Sequence, residues 1–143
     1  TLIELLVVIG IIAILATIVI IALNPARQFA QARNTTRSAN VNAILNAIGQ
    51  RTADNRGIFE TGCTAGAIPT SSTKMATSTY NIAPCIVPTY ITQLPFDPSA
   101  AGAHYTTTTD YDTGYNVQPD ASTGRITVNA PAAELSETIS VSR

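Results

Sequence analysis

The first 26 residues of the chain contain one charged side chain, Glu4. From Leu5 to Leu23 every residue except Thr17 is apolar, and as an α-helix this stretch would be about 28 Å long, close to the roughly 30 Å of a bilayer's hydrocarbon core. A helix that is apolar on every side needs lipid or a large protein core around it, and the rest of a 143-residue chain is too small to surround it. The pattern predicts a membrane-inserted helix rather than a buried core helix.

A cleaved secretory signal peptide has a similar apolar run. Such signals carry basic residues before the run and a small-x-small cleavage site after it, and neither is clearly placed in this sequence. We therefore expect that Thr1 follows a processing site upstream of the apolar segment, and that the segment is retained in the mature protein.

Glu4 needs a positive partner, because a carboxylate at the centre of a membrane helix costs about 2.5–3.5 kcal/mol. No Lys or Arg precedes Arg27. Two partners remain. One is the amino terminus of a neighbouring copy, and the other is the start of its own helix, which carries a partial positive charge within reach of the lipid headgroups. The residues alone favour neither.

The stretch TLIELLVVIGIIAIL resembles the N-terminal segment of bacterial type IV pilins and of the pseudopilins of type II secretion. The resemblance implies that Glu4 assists assembly by pairing with a neighbour's amino terminus. It also implies that the residues around Glu4 lie at the interface between subunits: Thr1, Leu2, Ile3 and Leu5. The segment is then a transient membrane anchor that becomes the core of a filament.

The end of the apolar segment departs from this family. Ile21 stands where many members have proline, and a proline comes instead at Pro25, after Asn24. Proline removes a backbone donor and disfavours helix at the residue before it. We therefore predict a kink or a melted turn within residues 21–25, with a simple end of the membrane helix at Asn24 and Pro25 as the alternative. This divides the chain into a segment 1–24 and a head, 25–143.

An amphipathic helix is predicted for residues 26–52, because Val41, Ile44 and Ile48 fall on one helical face. Leu45 shares that face, which needs a sheet to pack against. Before it comes a polar section without a continuous apolar stripe, carrying Arg27, Arg33 and Arg37. The positive-inside rule would hold these arginines in the cytoplasm. The basic leader that the family resemblance implies overrides the rule, so the head is placed outside.

Residues 53–96 are rich in Thr and Ser and are predicted to form a variable surface loop. The loop contains the only two cysteines, Cys63 and Cys85. In a head outside the cytoplasm this even pair predicts a disulfide, which stabilises by about 3 kcal/mol through loop closure. Two buried free thiols are the alternative. A metal site is disfavoured, because the chain has one histidine and no CxxC spacing.

Three or four antiparallel strands are predicted in residues 97–143, where short stretches rich in Thr, Tyr, Val and Ile alternate with turn residues. The stretch YITQLPFDP, followed by GYNV and GRITV, resembles the heads of pseudopilin-like pilins. The predicted fold class is therefore α+β with the pilin shape, a long N-terminal helix whose C-terminal half packs on a small antiparallel sheet.

No catalytic or nucleotide-binding motif is found, so we predict neither an enzyme nor a cofactor. Calcium bound by Asp110, Asp112 and Asp120 is an alternative, but their spacing completes no known calcium loop. Direct nucleic-acid binding is not expected, because Lys74 is the only Lys or Arg between Gly57 and Gly124.

The sequence therefore predicts a structural subunit that polymerises through its N-terminal helix into an extracellular type IV pilus. The resemblance implies an inner-membrane precursor, cleavage by a prepilin peptidase, an assembly machinery and a helical homo-oligomer on the cell surface. Two alternatives remain open, a pseudopilin of a type II secretion-like system and a monomeric membrane-tethered binding domain. Adhesion, motility and uptake are all uses of such filaments.

Overall fold

The protein is an α+β molecule in which a long helical segment runs into a small antiparallel sheet, as a computed structural model of residues 1–143 shows. The helices are α1 (Leu2–Leu23), α2 (Pro25–Asp54) and α3 (Ala83–Ile86), and the strands are β1 (Thr73–Ala76), β2 (His104–Thr107), β3 (Asp110–Pro119), β4 (Ile126–Ala130) and β5 (Ile139–Ser142). The predicted fold class is confirmed, because α2 packs on β4 and β5.

The strand β3 is the centre of the sheet. Asp112 pairs with Ala76 of β1 and with His104 of β2, so β1 and β2 lie on opposite sides of β3. Asn116 pairs in the same way with both β1 and β4. Strand β4 therefore lies on the same side of β3 as β2, further along the strand, and β5 extends the sheet beyond β4.

The core lies between α2 and one face of this sheet. Strand β3 buries alternate residues, as a strand with one covered face does: Tyr111, Thr113, Tyr115 and Val117. Against them pack the predicted apolar residues of α2, each at most 2% exposed: Val41, Ile44, Leu45 and Ile48. The apolar face predicted for this helix is therefore confirmed as its core face.

The sheet contains five strands, whereas the sequence predicted three or four. The four strands of residues 97–143 are present, but β1 and the short helix α3 lie within residues 53–96, which were predicted as loop. The stretch TKMA that forms β1 shows no alternating pattern, because Met75 and Ala76 are consecutive and both buried. The segment is thus partly built into the core rather than wholly on the surface.

Gly114 allows a turn to approach β3 closely. The N–H of Asp97 donates to the carbonyl oxygen of Thr113 at 2.8 Å, which draws the turn after Pro95 against the strand. Gly114 has φ +72°, and a Cβ there would lie 3.0 Å from the Cβ of Asp97 and 3.2 Å from that of Ala100. Only glycine meets both the backbone conformation and the lack of space.

Replacing Gly114 by Ala is expected to destabilise the head by about 1–3 kcal/mol, because the new methyl group meets backbone strain and two neighbouring Cβ atoms. Gly49→Ala is the matched control, since Gly49 lies in α2 and a methyl group added there would meet no atom within 4 Å other than its chain neighbours and the adjacent helix backbone. That change should stabilise by up to about 1 kcal/mol through helix propensity. Urea unfolding in detergent, followed by circular dichroism, measures both. Equal stabilities of the two variants would contradict the packing described for Gly114.

Candidate assembly and membrane segment

The helix α1 is not covered by any part of the chain. None of its 22 residues is buried. Its large apolar side chains are between 52% exposed, at Val7, and 83% exposed, at Leu2. The helix has a mean hydropathy of 3.3 over its most apolar 18 residues, so its length and composition suit it to crossing a membrane. Lipid or other protein must therefore cover this surface.

The first turn of α1 is closed by Thr1 and Glu4. The backbone nitrogen of Thr1 donates to Glu4 Oε2 at 2.5 Å, and the N–H of Glu4 donates to Thr1 Oγ1 at 3.3 Å. This is a capping box, which satisfies two donors that the start of a helix leaves unpaired. In the single chain, Glu4 therefore uses the start of its own helix, the second of the two predicted partners.

Glu4 remains open to a further partner. Its side chain is 76% exposed, and its Oε1 atom accepts no hydrogen bond. The other residues predicted at the interface are also exposed: Leu2, Ile3 and Leu5. The structure thus brings a carboxylate and three apolar side chains together at one bare helix end.

The helical segment is interrupted at Asn24, within the range predicted for a kink. Helix α1 ends at Leu23, and Asn24 has the left-handed backbone angles φ 42° and ψ 79°. Its Oδ1 accepts from the N–H of Arg27 at 3.4 Å, and Pro25 is the first residue of α2. Asparagine tolerates this conformation better than most residues, and proline suits the first position of a helix. One residue therefore sets the direction of α1 relative to the head.

The start of α2 is held by a loop between β4 and β5, residues 131–138, which we call the strap. Arg33 donates from Nε and Nη2 to both carboxylate oxygens of Glu134, at 2.7 and 2.6 Å. Asn34 donates to the carbonyl oxygen of Glu134 at 2.8 Å and accepts from its N–H at 3.0 Å. Arg37 Nη1 also reaches Glu134 Oε2, at 2.8 Å. The strap is thereby fixed across α2.

Arg37 is fully buried and forms the centre of this polar cluster. It donates from Nε to Asp97 Oδ2 at 2.8 Å and from Nη2 to Asp97 Oδ1 at 3.1 Å, and both side chains are 0% exposed. The N–H groups of Ser99 and Ala100 also donate to Asp97 Oδ1. A buried ion pair is tolerated only when its remaining donors and acceptors are satisfied, and no buried side-chain polar atom in the structure lacks a partner.

The pKa values of the two acids follow from these contacts. Burial alone would raise the pKa of Asp97, but hydrogen bonds from Arg37, Ser99 and Ala100 lower it below its usual value. Hydrogen bonds from Arg33 and Arg37 lower the pKa of Glu134 to about 2. The pKa of Arg37 is raised by its hydrogen bond to Asp97. All these groups are therefore charged at neutral pH.

The sequence did not predict this cluster. Arg33 and Arg37 fall in a section predicted to be polar and without a continuous apolar stripe, but the side chain of Arg37 lies in the core. The available signal was spacing: the buried residues of α2 continue the pattern of Val41 and Ile44 toward the N-terminus at Arg37, Asn34 and Ala30. The stripe is continuous but partly polar.

The predicted disulfide between Cys63 and Cys85 is confirmed. Arg51 organises the loop that it closes, with hydrogen bonds to the carbonyl oxygens of Phe59 at 2.9 Å, Cys85 at 2.6 Å and Thr61 at 2.6 Å. Its guanidinium also lies 5.5 Å from the centre of the Phe59 ring. The role of Arg51 was not predicted, because every residue has a backbone carbonyl and the sequence does not show which of them will lie near a given arginine.

The three aspartates considered for calcium do not converge. Asp110 and Asp112 lie at the start of β3, where Asp112 binds Lys74 at 2.5 Å, whereas Asp120 follows the end of the strand. There Asp120 Oδ1 accepts from the N–H groups of Ser122 and Thr123. No three His, Cys, Asp or Glu side chains are grouped as metal ligands. The aspartates serve turns and ion pairs instead.

Comparisons with known proteins add no family. No family model matches the chain, and neither a curated protein nor a solved structure is significantly similar to it. What is shown of the N-terminal segment is thus an apolar, uncovered helix ahead of an α+β head.

Replacing Arg37 by Met is expected to destabilise the head by about 3–5 kcal/mol, because the carboxylate of Asp97 is left buried without its counter-ion. The double variant Arg37→Met, Asp97→Asn should recover part of the loss, since the uncompensated charge is gone. Arg33→Met is the control and should cost much less, because Arg33 is 35% exposed. Urea unfolding in detergent measures all three. A double variant less stable than Arg37→Met would count against the ion pair as the cause.

Stability is expected to fall as the pH drops from about 4.5 toward 2. Glu134 has its pKa lowered from 4.5 to about 2, and that of Asp97 is lowered too, so the folded state binds protons less readily than the unfolded state. Their contribution is complete above the unfolded pKa values and is lost below them. Unfolding free energies between pH 7 and pH 2.5 measure the effect. Glu134→Gln should flatten the slope, whereas Glu60→Gln, at an exposed residue without an ion pair, should leave it unchanged.

Proposed function

We propose that the chain is a structural subunit that assembles through α1 into a filament of the type IV pilus kind. The single observation that carries the proposal is the bare α1, which is 22 residues long with no buried residue and has the exposed Glu4 in its first turn. The resemblance of TLIELLVVIGIIAIL to pilins and pseudopilins supports the same interpretation.

The need to cover α1 favours a polymer. Lipid can cover the helix while the subunit is in the membrane, but a subunit outside the membrane needs other copies around it. Each large apolar side chain contributes about 1.5–3 kcal/mol when it is fully buried, so a bundle of α1 helices can replace the lipid. A bundle of staggered copies uses different surfaces of each chain, and such contacts extend into an open helical filament. The heads, which carry the polar surface, then coat the outside.

Glu4 fits a role in joining subunits. A carboxylate inside a bundle of apolar helices is costly unless it is paired. The free Oε1 atom can accept a neighbour's amino terminus while Oε2 keeps its bond to the backbone nitrogen of Thr1. The proposed pairing therefore adds to the capping box and does not have to break it.

The remaining chemistry of the head is compatible with a structural role. Lys74, the only Lys or Arg between Gly57 and Gly124, is engaged by Asp112, so this part of the head carries no unpaired Lys or Arg that could contact nucleic acid. We propose that the subunit enters the inner membrane as a precursor, is processed by a prepilin peptidase, and is carried by an assembly machinery into a cell-surface filament. No enzymatic activity or cofactor is part of the proposal.

Two substitutions at Glu4 test the proposal. Glu4→Ala removes both the charge and the cap, whereas Glu4→Gln keeps an oxygen for the capping box and removes only the charge. If the charge joins subunits, both variants should yield few or no filaments. If only the cap matters, Glu4→Gln should assemble normally. The measurement is electron microscopy of material sheared from cells, with mass spectrometry of the subunit's N-terminus.

Glu60→Gln, at an exposed glutamate of the head, is the matched control and should assemble like the unmodified chain. Normal filaments from Glu4→Ala would exclude the proposed role of Glu4. Membrane-bound monomers alone, from the unmodified chain, would favour the tethered binding domain. Short periplasmic filaments in place of long surface ones would favour the pseudopilin.

A further inference from the structure

A notch lies where α1 meets the head. It has a volume of about 510 Å³ and is lined by residues of the helix junction and of the strap: Asn24, Ala26, Arg27, Leu135 and Ser136. Leu135 and Ser136 have φ values of +59° and +58°, at the tip of the strap. The bonds of Glu134 to Arg33 and Asn34 hold this tip beside α2. The notch is therefore a product of the folded head and not of the helix alone.

Three hydrogen-bond donors of the notch are exposed to solvent and make no hydrogen bond within the protein. The guanidinium of Arg27 makes no ion pair or hydrogen bond, unlike the nearby Arg33 and Arg37, which both bind Glu134. The side-chain nitrogen of Asn24 and the hydroxyl of Ser136 also make no hydrogen bond, since Asn24 uses only its oxygen, as an acceptor. No acidic residue lines the notch. It therefore presents one net positive charge with polar donors, which suits a phosphate group.

The position of the notch along the helical segment places it in the headgroup layer of a bilayer. If α1 spans the hydrocarbon core, Leu23 lies at its edge, and Arg27 lies four residues beyond, at most about 6 Å along the helix. The headgroup layer on each side is about 5–8 Å thick. Leu135, which also lines the notch, is 43% exposed. Polar donors and an apolar side chain thus occur together at this level.

We infer that the notch binds the phosphate of a phospholipid headgroup at the surface of the bilayer that α1 enters. Arg27 is the main phosphate ligand, Asn24 and Ser136 donate to the phosphate oxygens, and Leu135 contacts the lipid below the headgroup. The inference goes beyond the proposed filament, because it concerns the membrane-inserted chain and needs only that α1 lies in a bilayer. Its consequence is a head held at a fixed orientation on the membrane.

The test titrates the full chain, with its disulfide intact and in neutral detergent micelles, with phosphatidylglycerol, and counts bound lipid by native mass spectrometry. The unmodified chain should bind one phosphatidylglycerol molecule, more tightly than phosphatidylcholine, because the anionic lipid adds attraction to Arg27. Arg27→Ala should weaken this binding about fivefold, the effect of one Arg near an anionic membrane surface. Arg27→Lys should keep most of the affinity, since it retains the charge.

Arg125→Ala is the matched control, because Arg125 is also an exposed arginine without an ion pair but lies in the turn between β3 and β4. It should bind phosphatidylglycerol like the unmodified chain. Equal binding by Arg27→Ala and the unmodified chain overturns the inference. An equal loss in Arg125→Ala also overturns it, since the attraction is then to net charge. Competition by inorganic phosphate, beyond that of sodium chloride at the same ionic strength, would assign the notch to a soluble anion. Because filaments play no part, the result is independent of the proposed function.

Discussion

The buried ion pair between Arg37 and Asp97 joins three parts of the molecule that are far apart in the sequence. Arg37 belongs to α2, Asp97 to the turn that packs against β3, and Glu134, which also binds Arg37, to the strap. Removing Arg37 would leave the carboxylate of Asp97 buried without a counter-ion and would also remove one of the contacts that hold Glu134 on α2. The pair thereby fixes α2 against the sheet at the end of the head nearest to α1.

The packed head contrasts with the bare helix that leads to it. Every buried polar side chain of the head is satisfied, whereas α1 has no buried residue at all. The left-handed Asn24 separates the two. The proposed move of the subunit from a membrane into a filament would change the surroundings of α1 and not those of the head, and the inferred phosphate site would hold the head at the membrane before that move.

Hydrophobic periodicity predicted the elements whose buried residues are apolar. The face of α2 around Ile44 was predicted in this way, because the positions of apolar side chains show which side of a helix faces the core. Strand β1 was missed because its two buried residues are consecutive, and Arg37 was missed because a buried charge looks the same in a sequence as an exposed one. Asp97 lies in the stretch YITQLPFDP, and the resemblance of that stretch to pilin heads did not predict which side chain its carboxylate would pair with.

The order of residues along the chain was enough to establish that α1 is a membrane-length helix, that it is interrupted near Pro25, that two cysteines can pair, and that an amphipathic helix needs a sheet. These properties follow from local composition and from the backbone conformations that single residues, such as proline, allow. The folded molecule was needed to show that Arg37 meets Asp97, that Arg51 binds the carbonyl oxygens around Cys85, and that the strap forms a notch beside Arg27. Such contacts depend on which distant segments fold together, and a pattern along one segment carries no information about its partner.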